Sequence, residues 1–311
     1  MDKHPKPFSS AKTEVKRYRS KKVAWPAYEL AFLDHDFLLH KSLRSVRLQL
    51  ELLKPELSQQ KLKIESTIVV FGSARILDPQ IAKQQLNVAK ENLKKNKLNS
   101  HHKKALKTAQ TQLEKSKYYT QAQKFAQIVS KRCQKRSKRH FVVVTGGGPG
   151  IMEAANRGAA EVKAKSIGLN IILPHEQAPN PHISPELCFQ FHYFAIRKMH
   201  FLIRARALVC FPGGYGTLDE LFETLTLLQN KKIKPIPLLL FGKKFWSKLI
   251  NFDFMVKEGM ISQEDLKLFH YVESAEQAWK SIADFYDLQE DCQSTPDKKS
   301  LRGTARLRKK K

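Results

Sequence analysis

Two glycine-rich turns and an arginine–lysine pair hold the residue types and spacings that could do chemistry in this chain. The first turn is Thr145-Gly-Gly-Gly-Pro-Gly-Ile-Met-Glu153. Glycine lets backbone approach a ligand closely, and the unpaired N–H groups of a following helix start attract an anion. Ile151 stands where a dinucleotide fingerprint needs its third glycine, and no Gly-Lys-Ser/Thr follows, so neither the G-x-G-x-x-G nor the P-loop pattern is met. A tight turn with close helix–strand packing is the alternative reading of Gly147 and Gly148. The second turn is Phe211-Pro-Gly-Gly-Tyr-Gly-Thr-Leu-Asp-Glu220. Here Gly213, Gly214, Tyr215, Gly216 and Thr217 could wrap a phosphate with backbone amides and one hydroxyl. Thr217 and Glu220 also fit the Thr-x-x-Glu capping box of a helix start. A Glu220 spent as a cap would not be free to act on substrate. Between the turns lie Arg197 and Lys198, which read either as an ordinary surface helix face or as an anion fork reaching the same crevice.

The elements that must position these residues are legible as apolar runs. Residues 66–71, 141–145, 166–173, 207–211 and 236–241 are short and rich in β-branched or aliphatic side chains, and read as buried strands. Helical spacing covers 27–53, 118–133, 151–160, 217–229 and 273–286. Strands alternating with helices predict an α/β fold, a Rossmann-like parallel sheet with helices on both faces. Both glycine turns then fall at the carboxyl ends of strands, where such sheets bind ligands.

The net charge is +27, and its distribution is uneven. Residues 1–25 carry +6, residues 83–140 carry +15 and residues 298–311 carry +8, which leaves −2 for the rest. The domain reading is a basic disordered arm at 1–25, one catalytic domain at 26–290 with a basic helical insertion at about 83–116, and a basic disordered tail at 291–311. These appendages could bind nucleic acid weakly, or be solvated charge. Cys133, Cys188, Cys210 and Cys292 show no metal spacing and read as reduced thiols. The eleven histidines form no metal motif, so neither metal nor cofactor is expected. No apolar run is long enough to span a bilayer and no apolar leader is visible, so the expected location is cytoplasmic.

Pro212 to Glu220, read as Pro-Gly-Gly-x-Gly-Thr-x-x-Glu, together with Arg197-Lys198, resembles the signature of the "lonely guy" family. These are phosphoribohydrolases of cytokinin nucleotides, often mislabelled lysine decarboxylases. The likeness extends over Phe71-Gly-Ser-Ala-Arg75, Gly146 to Ala159, Leu173 to Gln177 and Glu258 to Ser262, and is nearer the longer bacterial branch that cleaves AMP. The resemblance implies Arg197 and Glu220 as catalytic residues. It implies substrate contacts from Gly72, Ser73, Gly147, Gly148, Glu176, Lys198 and Gly213 to Thr217. It also implies a homodimer or higher even oligomer, and hydrolysis of the N-glycosidic bond of AMP or an N6-modified AMP. The rival reading is a nucleotide-sensing or nucleic-acid-binding protein that reuses the fold without turnover. No Schiff-base lysine context supports the decarboxylase label.

Overall fold

The computed structural model describes residues 9–19, 25–96, 99–134, 138–172, 178–288 and 292. The chain divides into two compact units, Met1–Leu50 and Glu51–Lys311. In the first unit, α1 (Ala11–Arg19) occupies part of the arm read as disordered. Its polar residues suit a helix once Glu14 pairs with Arg17 one turn on, at 3.1 Å. Helix α2 (His35–Leu39) is capped by Asp34, whose carboxylate accepts from the Phe37 amide at 2.8 Å. The long helix α3 (Arg44–Lys61) begins in this unit, and its Arg47 donates to the carbonyls of Leu38 and His40.

The second unit is built on a parallel sheet. Its strands are β1 (Thr67–Phe71), β2 (Val142–Thr145), β3 (Ser166–Ile171), β4 (Cys188–Phe191), β5 (Ala205–Cys210), β6 (Leu238–Phe241) and β7 (His270–Val272). Their order is β4-β3-β2-β1-β5-β6-β7. The chain winds outward from β1 through β4, then crosses to β5 and winds the other way. The crevice between β1 and β5 is thus the topological switch point, where open parallel sheets take their ligands.

Alternation along the strands divides the core. Ile68, Val70, Val143, Val209 and Leu239 face one layer, formed by α6 (Lys117–Cys133), α7 (Ile151–Glu161) and α12 (Ala275–Phe285). Val69, Phe71, Val144, Leu208 and Leu240 face the other, where α8 (Phe194–Leu202) brings Phe201, α9 (Tyr215–Gln229) brings Leu221, and α10 (Lys243–Leu249) brings Trp246. Helix α11 (Phe252–Lys257) closes that side with Phe252. Strands apolar on both faces and helices apolar on one are what a doubly covered parallel sheet demands.

The basic insertion is a helical hairpin, α4 (Pro79–Lys95) and α5 (Ser100–Lys115). Its start is fixed by Asp78, which caps α4 through the Gln80 amide and pairs with Arg157 of α7 at 3.1 Å. The reading of four reduced cysteines is corrected for two of them, since Cys133 and Cys292 form a disulfide with Cα atoms 5.2 Å apart. A separation of 159 residues hides that proximity from any local spacing rule.

Candidate active site

Helix α9 leaves the end of β5 through Pro212 and Gly213, with Gly214 as its N-cap. Thr217 is therefore the third residue of the helix and Glu220 lies almost a turn further in. The capping-box alternative does not hold, because no side chain caps this helix. Among the described residues, nothing hydrogen-bonds to the amides of Gly213, Gly214, Tyr215 or Gly216. These amides sit at the positive end of a helix of 15 residues. The space beside Gly214 and Gly216 is open, with no atom within 4 Å of where a Cβ would stand. Gly213 differs, since a side chain there would overlap Thr217.

Glu220 is 5% exposed. Burial pushes its carboxyl up to about 7, helped by the nearby Glu223 and Asp219 and opposed by Lys198 and Arg197. The Lys198 ammonium lies 3.6 Å from Glu220, 2.6 Å from Asp219 and 2.7 Å from Glu223. Those carboxylates hold Lys198 well above the ordinary lysine value. Lys198 thus reaches the crevice with its charge already balanced by α9.

Arg197 has a different setting. Its Nε donates to the Leu169 carbonyl at 2.8 Å, and its guanidinium lies 5.1 Å from the centre of the Phe201 ring. Among the described residues no carboxylate lies within ion-pairing reach of it. The guanidinium packs against Gly146, where an added Cβ would stand 2.8 Å from Nη2. The stem is fixed by one carbonyl, which leaves the Nη edge for an anion.

The first turn is held by a buried polar network. Thr145 Oγ1 donates to Asn156 Oδ1 at 2.7 Å, and Asn156 Nδ2 donates to Ser166 Oγ at 3.0 Å. Asn180 Nδ2 reaches the carbonyls of Gly147 and Gly148 and Asn156 Oδ1, all within 3.1 Å. Gly147 has φ +79°, and a side chain there would collide with Asn170. Gly148 packs against Met152, and Gly72 packs against Ile151. Ser73 ties three loops together: its amide donates to the Pro212 carbonyl, its carbonyl accepts from Ile151 and its hydroxyl accepts from the Arg75 amide. Of the residues singled out in the sequence, Arg197, Lys198 and Glu220 meet beside the open turn of Gly213 to Thr217. Gly72, Ser73, Gly147 and Gly148 brace that arrangement, and Glu176 lies outside the described residues. Asn156, Asn170 and Asn180 escaped sequence reasoning. The sole local hint at Asn180 is a polar residue between two prolines.

Residues 152–282 match the family described as "Possible lysine decarboxylase". The pyrimidine/purine nucleotide 5'-monophosphate nucleosidase of Escherichia coli K12 is 34% identical over 118 residues, covering 34% of this chain and 25% of that protein. The cytokinin riboside 5'-monophosphate phosphoribohydrolase LOG1 of Arabidopsis thaliana is 34% identical over 90 residues, 29% of this chain and 42% of that one. Over parts of its length the chain is thus similar to a nucleotide nucleosidase and to a lonely guy protein. It spans a quarter of the bacterial relative's length and under half of the plant enzyme's. The solved molybdenum cofactor carrier protein of Chlamydomonas reinhardtii superposes with a TM-score of 0.40 at 15% identity, over 71% of this chain and 97% of that one. The segment matched by the family begins within α7 and ends within α12, so it contains α8, the second turn and Glu220.

Proposed function

We propose that this chain hydrolyses the N-glycosidic bond of a purine nucleoside 5'-monophosphate, AMP or an N6-modified AMP such as a cytokinin nucleotide. The products are the free base and ribose 5-phosphate. The observation that carries this reading is a buried carboxylate, Glu220, one turn below four unpartnered amides at the head of the same helix. The amides and the free edge of Arg197 suit the 5'-phosphate, with binding energy spent on positioning C1'. As the C1'–N bond lengthens, its electron pair leaves with the base and positive charge grows on the ribose. The Glu220 carboxylate offsets that charge and orients the water whose oxygen bonds to C1'. A proton from solvent completes the base. Lys198 opposes the effect of burial on Glu220 and so favours its ionised, working form.

A Schiff-base role for Lys198 runs against its surroundings. A nucleophilic lysine needs its pKa depressed, and three carboxylates raise this one. We read the assembly as a homodimer or higher even oligomer in the cytoplasm. Its support is a groove of about 600 Å3 beside the site, lined by Tyr215, Leu218 and Phe222 among others, with Tyr215 93% exposed. No described helix is long and apolar enough to cross a membrane. The test is incubation with AMP, isopentenyl-AMP, GMP and CMP, followed by chromatography for free base and ribose 5-phosphate. Release from AMP or isopentenyl-AMP is expected. Nucleotide binding without release from any of the four would replace the enzyme with a sensor.

A further inference from the structure

The α4–α5 hairpin stands apart from the catalytic crevice in both charge and packing. It has a small core of its own, where Leu86 and Ala89 of α4 meet Ala109 of α5, with Leu106 and Leu113 packed against them. That core makes the hairpin a rigid support for its outer faces. The two helices carry eight lysines and two glutamates and no arginine, and their only aromatic rings are the imidazoles of His101 and His102 at the head of α5. Lys83, Lys90 and Lys94 follow one another at intervals of seven and four, so they line one stripe of α4 about 16 Å long. Lys103, Lys104 and Lys107 are exposed on α5, away from Ala109. Elsewhere Lys124, Lys165, Lys198 and Lys267 each sit against a carboxylate. None of the hairpin lysines has such a partner among the described residues.

Like charges crowded on a rigid support repel one another, and two glutamates do not balance eight lysines. A polyanion would, by exchanging its condensed counterions for the ammonium groups. We infer that the hairpin is a nucleic-acid-binding arm that grips the phosphate backbone. Lysine supplies point charges without the planar fork that reads guanine, and the only rings that could stack on a base are the two imidazoles at one end of α5. The arm therefore binds without regard to sequence, and its affinity is dominated by salt. This goes beyond nucleotide hydrolysis, because neither helix contributes to the crevice.

The test uses the full chain and fluorescence anisotropy with labelled 20-residue RNA and DNA, as duplexes and single strands, between 50 and 200 mM salt. One variant replaces Lys83, Lys90, Lys94, Lys103, Lys104 and Lys107 by Gln, and a second replaces the same six by Arg. Binding by the intact chain is expected to weaken steeply with salt. The Gln variant should lose at least about tenfold in affinity at 100 mM salt, with the log–log slope flattened by roughly 0.7 to 0.9 per lost contact. The Arg variant should keep both, and hydrolysis of AMP should be unchanged in either. The acid form bound more tightly at the same salt concentration, RNA or DNA, names the preferred ligand. Absence of binding at 50 mM salt overturns the inference. So does a Gln variant with unchanged affinity and slope.

Discussion

The two glycine-rich turns look alike in sequence and are built for opposite purposes. In the first, the glycines are required by the fold, since Asn170 and Met152 occupy the space a side chain would need and Asn180 takes up two of the carbonyls. In the second, Gly214 and Gly216 meet nothing among the described residues, and the amides from Gly213 to Gly216 have no partner there. A glycine near the start of a helix costs stability relative to alanine, up to about 1 kcal/mol. Nothing in the folded chain offsets that cost at Gly216. On the proposed function, the offset comes from a ligand whose approach a methyl group would obstruct. The first turn is thus a brace, and the second is the turn we propose as a receptor for an anion.

The largest expected effect tests the receptor's chemistry. Glu220→Gln should lower turnover on AMP by about 100- to 1,000-fold or more while leaving nucleotide affinity near its original value. The same substitution should alter stability with a definite sign. Burial holds the folded carboxyl near 7 against an ordinary value of 4.5, so the folded chain retains a proton that the unfolded chain has released. This group's contribution is favourable below about pH 4.5 and is lost as pH rises through 7, by at most about 3 kcal/mol. Denaturation from pH 5 to 8 should therefore show a fall in the original chain that is smaller in Glu220→Gln. In the original chain, kcat/KM should rise with pH through a limb near 7 as Glu220 ionises. A turnover unchanged by the substitution would reduce Glu220 to a buried structural carboxyl.

Arg197 lies against Gly146 of the first turn, and its charge is coupled to Glu220 on the helix that follows the second. Arg197→Ala should cost about 100-fold in kcat/KM, the equivalent of a charge-assisted bond of roughly 3 kcal/mol. Adenosine, which lacks the phosphate, should lose much less between the two proteins than AMP does. An equal loss on both substrates would assign the arginine to the brace alone.

Much of this was legible in the sequence, for a physical reason. Strands β1, β2 and β5 are central, covered on both faces and bounded by glycine, so each shows as a continuous apolar run. Strands β4 and β7 escaped because they are the sheet's edges, four and three residues long, with Gln190 and His270 exposed in them. The Thr-x-x-Glu pattern suggested a cap because a local motif does not reveal that the helix starts two residues earlier, at Tyr215. The carboxylates around Lys198 come from a helix 21 and more residues further on, and Asn180 reaches the first turn across 33 residues. Such contacts are properties of the topology, which juxtaposes loops that are distant in the chain.

The brace itself is tested by Gly147→Ala. A methyl group there faces both a positive φ and the Asn170 amide, so a loss of stability of about 2 kcal/mol is expected, read as a lower denaturation midpoint. A stability unchanged by this substitution would mean that the crowding around the first turn relaxes freely. The contrast between brace and receptor would then vanish on the brace side.

The smallest effect, and the one that separates the turns most sharply, is expected for Gly216→Ala. At the second residue of α9 a methyl group meets open space, and alanine is the better helix former, so stability should rise by about 0.5 kcal/mol. A Cβ on a helix points back toward its N-terminus, which here is the direction from which a phosphate would approach the free amides. Catalytic efficiency on AMP should therefore fall, by about tenfold if a methyl group displaces the phosphate enough to cost roughly 1.4 kcal/mol. The two readouts move in opposite directions, which a merely structural glycine cannot produce. Thermal denaturation and initial rates on one preparation decide it. A variant that is both more stable and fully active would show that no ligand approaches this face of the helix. The anion site would then have to be sought at the first turn instead.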